Sequence, residues 1–220
     1  MNFTESEENY IKAIFHLQLD SHIVSTSALA ERLQSRPASI TDMMKKLSAK
    51  KLLHYKPYHG FNLTTEGRKV ALSVIRRHRL WEFFLSDKLG FGWDEIHTVA
   101  EQLEHVSSKK LIDKLDEYLD FPKFDPHGDP IPDKRGRIKT SDNLSLNHLP
   151  LHQPALVSRV SQQSAQMLEL MQHKKIFIGS IIEIKKYFEF DRSMQIKLKG
   201  NRTETISEQL AKNIFVTYEK

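Results

Sequence analysis

Histidine and glutamate side chains recur at helical spacing between residues 77 and 105 of this 220-residue chain. His78 and Glu82 stand four residues apart, so that on a helix they face the same way. Four further ligand-type side chains fall within roughly 100° of one another at about 100° of helical turn per residue. These are His97, Glu101, Glu104 and His105. We predict that two helical segments enclose a cation between these side chains.

Solvation is the alternative explanation, because the polar face of any amphipathic helix carries glutamate and histidine. Either segment taken alone is best explained in that way. The two together favour a metal site, since facing helices supply the ligands of metal sites in helical bundles. The chain has no cysteine, which excludes a thiolate nucleophile, a disulfide framework and a cysteine zinc site. Oxygen and imidazole ligands suit Mn(II), Fe(II) or Zn(II) better than Cu(I).

The N-terminal part of the chain has the pattern of three short helices. Thr4 and Glu7 have capping-box spacing at the start of the first, whose apolar positions recur at the helical period. Serine and threonine at positions 25–27 are cap candidates for the second helix. Pro37 opens the third, which we extend to Leu52 or Leu53.

A hairpin and a fourth helix follow. Leu53–Tyr55 and Phe61–Leu63 are short strand patterns around a turn at Gly60, and Thr64 or Thr65 caps the next helix. The order helix, helix, helix, hairpin, helix predicts a winged helix-turn-helix. In that motif the third helix enters the major groove of DNA.

A net charge of +5 and a pI near 9.2 permit a nucleic-acid partner. Short or charged side chains at the start of the third helix can hydrogen-bond base edges or phosphates, and lysines along it and at the wing tip suit phosphates. A solvated lysine face is the alternative explanation for any single lysine. The candidate DNA-binding residues are Arg36, Ser39, Thr41, Asp42, Lys45, Lys46, Lys56, Tyr58 and His59.

The fourth helix continues into His78 and so joins the predicted DNA-binding segment to the candidate metal site. Beyond His78 it is apolar over more than one face, which is typical of a buried core or a dimer interface. A further helix, Ser108–Leu119, adds Leu111, Ile112, Leu115 and Leu119 to the same apolar cluster. The loop at 121–132 is rich in proline and aspartate and holds two more possible ligands, with a purely rigid connection as the alternative. These possible ligands are Asp125 and His127.

The remainder of the chain has the pattern of a small β domain. Residues 133–142 are basic and polar, which predicts a linker. Short strands with few helices then favour a compact barrel. The strand patterns are Ala155–Val160, Ile176–Phe190, Met194–Leu198 and Ile214–Tyr218, with a helix at Gln162–Gln172 and a short turn at Ser207–Asn213. The predicted fold is mainly α with small β parts, in three domains at residues 1–70, 71–139 and 140–220.

These elements in this order resemble the diphtheria toxin repressor family of metal-dependent transcriptional regulators, and in particular its three-domain manganese transport regulators. The resemblance covers essentially the whole chain. It implies a winged helix-turn-helix, a helical metal-binding and dimerisation domain, and a C-terminal Src-homology-3-like barrel of the FeoA type. The specific motifs are Arg77-His78-Arg79-Leu80-x-Glu82, the run His97-x-x-x-Glu101-x-x-Glu104-His105, and Phe121-Pro122 through Pro126-His127-Gly128-Asp129-Pro130-Ile131-Pro132.

The resemblance implies two metal sites. One consists of His78, Glu101, Glu104 and His105, and the other of Glu82, His97, Asp125 and His127. Iron-responsive members of the family carry cysteine where this chain has Glu101. A hard carboxylate at that position favours Mn(II), with Fe(II) as the alternative.

The chain departs from the family pattern at three places. Asn9 stands where the family offers methionine or aspartate, and its amide oxygen is a weaker ligand for which Glu8 or Glu5 can substitute. Lys12 stands where some manganese regulators carry an acidic ligand. The segment at 161–164, where some members supply a ligand from the third domain, has no carboxylate.

We expect a cytoplasmic, homodimeric, non-enzymatic regulator that is activated by Mn(II) or Fe(II), with other divalent metals able to substitute in vitro. It would bind a palindromic double-stranded DNA operator and repress metal-uptake genes. No apolar stretch approaches the length of a membrane span, so no membrane partner is expected. The alternatives are a carboxylate-bridged di-metal enzyme in a helical bundle and a metal-independent winged-helix sensor that binds an organic ligand near Trp81.

Overall fold

The computed structural model describes residues 3–19, 21–56, 59–105, 108–138, 143–161 and 164–218. The chain divides into two compact units. Unit one comprises residues 1–78, 102–114 and 132–138, and unit two comprises residues 79–101, 115–131 and 139–220. Within the described ranges no helix is both long and apolar enough to cross a membrane.

Unit one begins with the three expected helices, α1 (Glu5–Leu17), α2 (Thr26–Arg32) and α3 (Pro37–Ala49). The Thr4 side chain accepts a bond from the Glu7 backbone, and the Glu7 side chain accepts one from the Thr4 backbone, which confirms the capping box. The helix α3 is shorter than predicted. Lys51 has a φ of 61°, a left-handed conformation that ends the helix and turns the chain into the next strand.

A two-stranded antiparallel hairpin follows, β1 (Leu53–Lys56) and β2 (Gly60–Leu63), as expected for a wing. Phe61 also exchanges backbone hydrogen bonds of 2.9 and 3.0 Å with Val24, which ties the hairpin to the segment before α2. Gly60 has a φ of 84°, and a Cβ atom there would lie 2.6 Å from the Val24 carbonyl oxygen. Only glycine satisfies both conditions at this turn.

Three helices complete the α part of the chain: α4 (Thr65–Leu89), α5 (Ile96–Glu104) and α6 (Lys109–Tyr118). The Thr64 hydroxyl accepts a bond from the Gly67 backbone and so caps α4, as one of the two predictions had it. Of the apolar side chains expected to be buried on α6, Ile112 and Leu115 are buried, whereas Leu111 is 46% exposed. The core of unit one is formed by α1, α2, α3, the wing and the first part of α4.

Part of the predicted linker is an ordered turn. The Asp133 carboxylate accepts backbone hydrogen bonds from Arg135 at 2.8 Å and from Arg137 at 2.9 Å. Ile138 then packs against the core of unit one. Residues 133–138 of the predicted linker thus form an ordered turn, because an aspartate that binds its own backbone stabilises a turn in a polar segment. The rest of it, residues 139–142, lies outside the described residues.

The C-terminal part of unit two has the elements β3 (Leu144–Ser145), β4 (Pro154–Val160), α7 (Ala165–His173), β5 (Ile181–Tyr187), β6 (Met194–Leu198), β7 (Thr203–Ile206), α8 (Glu208–Asn213) and β8 (Ile214–Thr217). The strands form one six-stranded antiparallel sheet with the order β3-β8-β4-β5-β6-β7. Its core includes the helix α7, and the predicted turn at 207–213 is the short helix α8 with Ser207 as its cap. The sequence predicted neither β3 nor β7, which are short and polar.

Candidate metal centre

Ligand-type side chains of unit one converge on Glu104, at the end of α5. Its carboxylate is fully buried. One oxygen lies 2.6 Å from Nδ1 of His78 on α4, and the other lies 2.6 Å from the ammonium of Lys12 on α1 and 3.2 Å from Nε2 of His105. We call this group, together with Glu8 and Asn9, the first cluster.

The second half of the first cluster surrounds His105. Its Nδ1 lies 2.7 Å from a carboxylate oxygen of Glu8, and its Nε2 lies 3.0 Å from the amide oxygen of Asn9. Arg77 donates a hydrogen bond of 2.6 Å to the other oxygen of Glu8. Glu8, proposed from the sequence as a substitute for the weak ligand Asn9, therefore lies within the cluster, whereas Glu5 is exposed.

Cations hold the buried carboxylate of Glu104 in its charged form. Burial by itself raises the pKa of Glu104, but the hydrogen bond and charge of His78 and the ammonium of Lys12 outweigh burial and lower it. The cluster thus offers two carboxylates, two imidazoles and an amide oxygen. This is a suitable donor set for a divalent cation, which would replace Lys12 in neutralising Glu104.

A second cluster of Glu82, Asp125 and His127 lies in unit two. One ligand atom from each residue lies within 4.8 Å of the others, and all three side chains are buried. Asp125 Oδ2 and His127 Nδ1 are buried without a hydrogen-bond partner. Buried polar atoms without partners are costly and rare in folded proteins. Since both are typical metal-ligating atoms, these residues fit a divalent cation.

The backbone of the loop at 121–132 holds Asp125 and His127 in place. Asp125 Oδ1 accepts backbone hydrogen bonds from His127 at 2.8 Å and from Asp129 at 2.9 Å, so that Oδ2 is left for a ligand. The His127 carbonyl accepts a bond of 3.0 Å from Val160 on β4. At Gly128, with a φ of 83°, a Cβ atom would lie 1.9 Å from the Ser158 carbonyl oxygen, so glycine is required for this close approach.

Trp93 orients the His127 ring, and sequence reasoning missed it. The two rings stack with centroids 5.5 Å apart and planes 18° from parallel. His127 Nε2 lies 3.3 Å from the Trp93 carbonyl oxygen, which favours the tautomer with hydrogen on Nε2 and a free lone pair on Nδ1. A lone tryptophan in a Gly-rich turn carries no signal of such a role in the sequence.

Arg79 and Asp129 also lie beside the second cluster without having been proposed as site residues. The Arg79 guanidinium lies 3.5 Å from Asp125 Oδ2 and 3.6 Å from Asp129 Oδ2. Both residues belong to the sequence motifs that the chain shares with the family, and this position could have identified them as site residues.

Burial and nearby carboxylates favour protons in the second cluster when no cation is bound. Burial, followed by the charges of Glu82 and Asp129, raises the pKa of Asp125. Burial lowers the pKa of His127, but the nearby negative charges of Glu82 and Asp125 outweigh burial and raise it. A divalent cation would displace these protons, so its affinity should increase with pH.

The ligand-type residues of α5 do not all belong to one site. His97 is 39% exposed at its side chain, with Nδ1 lying 3.2 Å from Glu82 and Nε2 lying 3.6 Å from Glu101. Glu101 is 51% exposed, whereas Glu104 is buried. The structure thus brings His97 to the second cluster and Glu104 and His105 to the first. Gln162 and Gln163, at the expected position of a third-domain ligand, lie outside the described residues.

The candidate DNA-binding residues lie on α3 and the wing. Arg36 is the exposed N-cap residue of α3, and the Thr41 hydroxyl donates a hydrogen bond of 3.1 Å to the Pro37 carbonyl. Lys46 forms an ion pair of 3.1 Å with the buried Glu7, while Lys45 lies 3.9 Å from Asp42. The exposed members are Arg36, Ser39, Asp42, Lys45, Lys46, Lys56 and His59. Tyr58 lies outside the described residues.

Comparison with known families covers nearly the whole chain. The iron dependent repressor N-terminal DNA binding domain matches residues 2–61, and the metal binding and dimerisation domain of iron dependent repressors matches residues 64–133. The FeoA domain matches residues 144–218. The fold class expected from the sequence is thereby confirmed.

Individual relatives agree with these matches. The iron-dependent repressor IdeR of Mycobacterium leprae is 31% identical over 131 residues, which are 60% of this chain and 57% of that protein, so the match spans less than two thirds of it. The transcriptional regulator MntR of Oceanobacillus iheyensis is 34% identical over 139 residues, which are 63% of this chain and 92% of that protein. One relative is named as an iron-dependent repressor and the other as a transcriptional regulator, which confirms the expectation of a regulator rather than an enzyme.

A solved structure of a manganese-dependent transcriptional repressor in complex with manganese superimposes with a TM-score of 0.88 at 32% identity. The match covers 97% of this chain and 100% of that one. The three domain types also follow one another in the order that the sequence predicted. The chain therefore belongs to the iron-dependent repressor family, the diphtheria toxin repressor family of metal-dependent transcriptional regulators.

Proposed function

We propose that this protein is a Mn(II)-activated, alternatively Fe(II)-activated, repressor of metal-uptake genes that binds a palindromic DNA operator as a homodimer in the cytoplasm. The domain limits that we propose are residues 1–70 for DNA binding, 71–139 for metal binding and dimerisation, and 140–220 for the FeoA-type domain. The manganese-bound repressor of similar structure and the iron-dependent IdeR support a metal-dependent activity.

The observation that carries the proposal is the pair of buried ligand atoms without a hydrogen bond in the second cluster. Asp125 Oδ2 and His127 Nδ1 are buried next to Glu82 with no hydrogen-bond partner. A purely structural cluster would satisfy such atoms, because leaving a buried polar group unpaired costs about 1–3 kcal/mol. The ligand atoms of the second cluster support a metal site formed by Glu82, Asp125 and His127, with His97 as a further ligand.

The first cluster is proposed as the other site. We assign it His78, Glu104 and His105, with Glu8 and Asn9 from α1 and Glu101 as a further ligand implied by the family. A bound divalent cation supplies the positive charge that these carboxylates require. Glu8 and Asn9 belong to α1, whereas Glu104 ends α5 and His105 directly follows it. Ligation by both pairs would therefore hold α1 in one position against the end of α5. α1 packs in the same core as α3.

Repression depends on how the dimer positions α3 in the major groove of the operator. We propose that Arg36, Ser39, Thr41 and Asp42 contact base edges and phosphates, and that the lysines of α3 and the wing contact phosphates. A dimer held in one geometry places two copies of α3 at the spacing of successive major grooves. Metal binding and operator binding are then linked, so that each strengthens the other. A carboxylate at position 101 in place of cysteine favours Mn(II) over Fe(II).

The test is binding of the purified protein to DNA from its own upstream region with Mn(II), Fe(II) or chelator at fixed salt, because phosphate contacts make affinity salt-dependent. We expect binding to require metal and to be lost in Glu104→Ala and His105→Ala. An exposed-site control, Glu31→Ala on α2, should bind like the parent protein.

DNA binding that is indifferent to chelator would contradict metal activation. It would favour the metal-independent sensor that binds an organic ligand near Trp81. Equal DNA affinity with Mn(II) in the parent protein and in both variants would remove the first cluster from the mechanism.

A further inference from the structure

A cleft in the C-terminal β domain lies apart from both clusters. It has a volume of about 830 Å³ and is lined only by residues between 154 and 202. The loop after α7 forms one side, and the turn between β6 and β7 forms another. Side chains of strands β5 and β6 line the cleft between these two sides. The cleft therefore belongs entirely to this one domain.

Positive charge is in excess around the cleft. Lys175, Lys197, Lys199 and Arg202 line it, against the single carboxylate of Glu183. Glu183 is already bound by Lys185, which lies outside the lining. Arg202 is paired with Glu204 at 2.7 Å, whereas none of the three lining lysines has a carboxylate within ion-pair distance among the described residues. Three lysines without an ion pair among the described residues thus line one concave space.

The wall of the cleft is partly apolar. Pro154, Ile178, Ile181 and Leu198 line it, and Ile181 is 55% exposed although it is a large aliphatic side chain in a strand. Small-molecule sites typically have volumes of about 300–1,000 Å³ and combine apolar walls with a few polar groups that converge. The size and lining of this cleft match that description.

We propose that the cleft binds a small organic polyanion, with its phosphate or carboxylate groups held by Lys175, Lys197 and Lys199 and its body against Ile178 and Ile181. Lysine binds such groups as a compact point charge. A recessed site with an apolar wall fits a small molecule better than the backbone of duplex DNA, whose phosphates lie on a convex surface. The proposal does not depend on the metal-activated function.

The test uses the full-length, metal-free protein and isothermal titration calorimetry at fixed ionic strength. The probes are ATP and inorganic pyrophosphate for phosphate chemistry, citrate for carboxylate chemistry, and uncharged adenosine for the apolar body alone. The test variant is Lys197→Gln/Lys199→Gln. Its control is Lys186→Gln/Lys212→Gln, which removes two exposed lysines of the same domain outside the cleft. Thermal unfolding establishes that both variants fold like the parent.

We expect at least one anionic probe to bind the parent protein with a dissociation constant below about 1 mM. This dissociation constant should rise about tenfold or more in the test variant and change less than about twofold in the control. Preference for ATP and pyrophosphate over citrate would identify phosphate as the recognised group, and the reverse would identify carboxylates. The proposal is overturned if no anionic probe binds the parent protein, or if the test and control variants bind the anionic probes with equal affinity. A test variant with weakened operator binding and unchanged anion binding would make these lysines DNA contacts instead.

Discussion

The ammonium of Lys12 lies 2.6 Å from Oε1 of Glu104, on the carboxylate at the centre of the first cluster. The Lys12 side chain is 14% exposed and that of Glu104 is fully buried, so water screens the pair little. A cation of the protein itself therefore occupies one face of a proposed metal ligand. Metal binding there must displace or share it.

Replacing Lys12 should strengthen metal binding and weaken the metal-free fold. In Lys12→Gln we expect Mn(II) affinity to rise about tenfold, since the carboxylate loses a competing cation. The metal-free variant should lose about 3 kcal/mol of unfolding free energy, as when one partner of a buried pair is removed. Calorimetric titration and urea unfolding measure the two effects. Lys45→Gln, at an exposed pair, is the control, and weaker Mn(II) binding by Lys12→Gln would refute the competition.

Glu7 should make stability depend on pH in the acid range. Burial raises the pKa of Glu7, but hydrogen bonds from Lys50, the Thr4 backbone and Lys46 outweigh burial and lower it from 4.5 to about 2. Because the folded-state pKa is below the unfolded one, this stabilisation is complete above pH 4.5 and is lost as pH falls toward 2. We expect Glu7→Gln to cost on the order of 2 kcal/mol at pH 7.

Urea unfolding at several pH values measures this difference, which should shrink steadily below pH 4.5. Glu31→Gln, at an exposed position of α2, should change stability by less than about 0.5 kcal/mol at any pH. A Glu7→Gln deficit that stays constant down to pH 3 would show that the ionisation of Glu7 is not the source of its stabilisation.

Trp93 should report metal binding at the second cluster. It stacks on His127 at 5.5 Å, so a paramagnetic Mn(II) ion bound to His127 should quench its fluorescence. In a Trp81→Phe background, where Trp93 is the only tryptophan, we expect saturable quenching by Mn(II). Adding His127→Ala should raise the Mn(II) concentration at half-maximal quenching about tenfold or more. Quenching with an unchanged midpoint in the double variant would place the ion elsewhere.

Gly128 should be intolerant of alanine. Its φ is 83°, and a Cβ atom would lie 1.9 Å from the Ser158 carbonyl oxygen. Gly90 is a matched control, because its φ is 69° and nothing lies within 4 Å of its Cβ position. Both alanine variants bear the cost of a left-handed conformation, about 1 kcal/mol, but only Gly128→Ala adds a clash. We expect it to lose about 2 kcal/mol more than Gly90→Ala in thermal or urea unfolding, and equal losses would disprove the close approach.

Substitutions on α3 should affect operator binding unequally. Arg36 is exposed and uses no side-chain bond to cap the helix, so Arg36→Ala should cost about 1–3 kcal/mol of binding free energy. The Thr41 hydroxyl already donates its hydrogen to the Pro37 carbonyl and can offer DNA only an acceptor, so Thr41→Val should cost less binding free energy than Arg36→Ala. Fluorescence anisotropy with labelled operator at fixed salt provides the measurement. A larger loss in Thr41→Val than in Arg36→Ala would reverse the assignment.

Local signals determined the α-helical part and the wing. The capping box at Thr4 and Glu7, the proline that opens α3 and the glycine at position 60 each act over a few residues, so the sequence alone predicts them. Polar segments were less predictable. The strand β3 exists through pairing with the distant strand β8, the short strand β7 exists through pairing with its neighbour β6, and the turn at Asp133 depends on one carboxylate binding its own backbone.

The sequence by itself determined which residues have metal-ligand chemistry and which helices carry them. Periodicity places His97, Glu101 and Glu104 on one side of α5, but it does not say what faces each of them. Only the tertiary structure decided that Glu104 meets Lys12, 92 residues away, or that His105 meets Glu8, 97 residues away. It also decided that Glu82 meets Asp125 and His127, because that meeting requires the loop to be held against β4. Local pattern encodes conformation, whereas the partner of a buried charge is set by how distant elements pack.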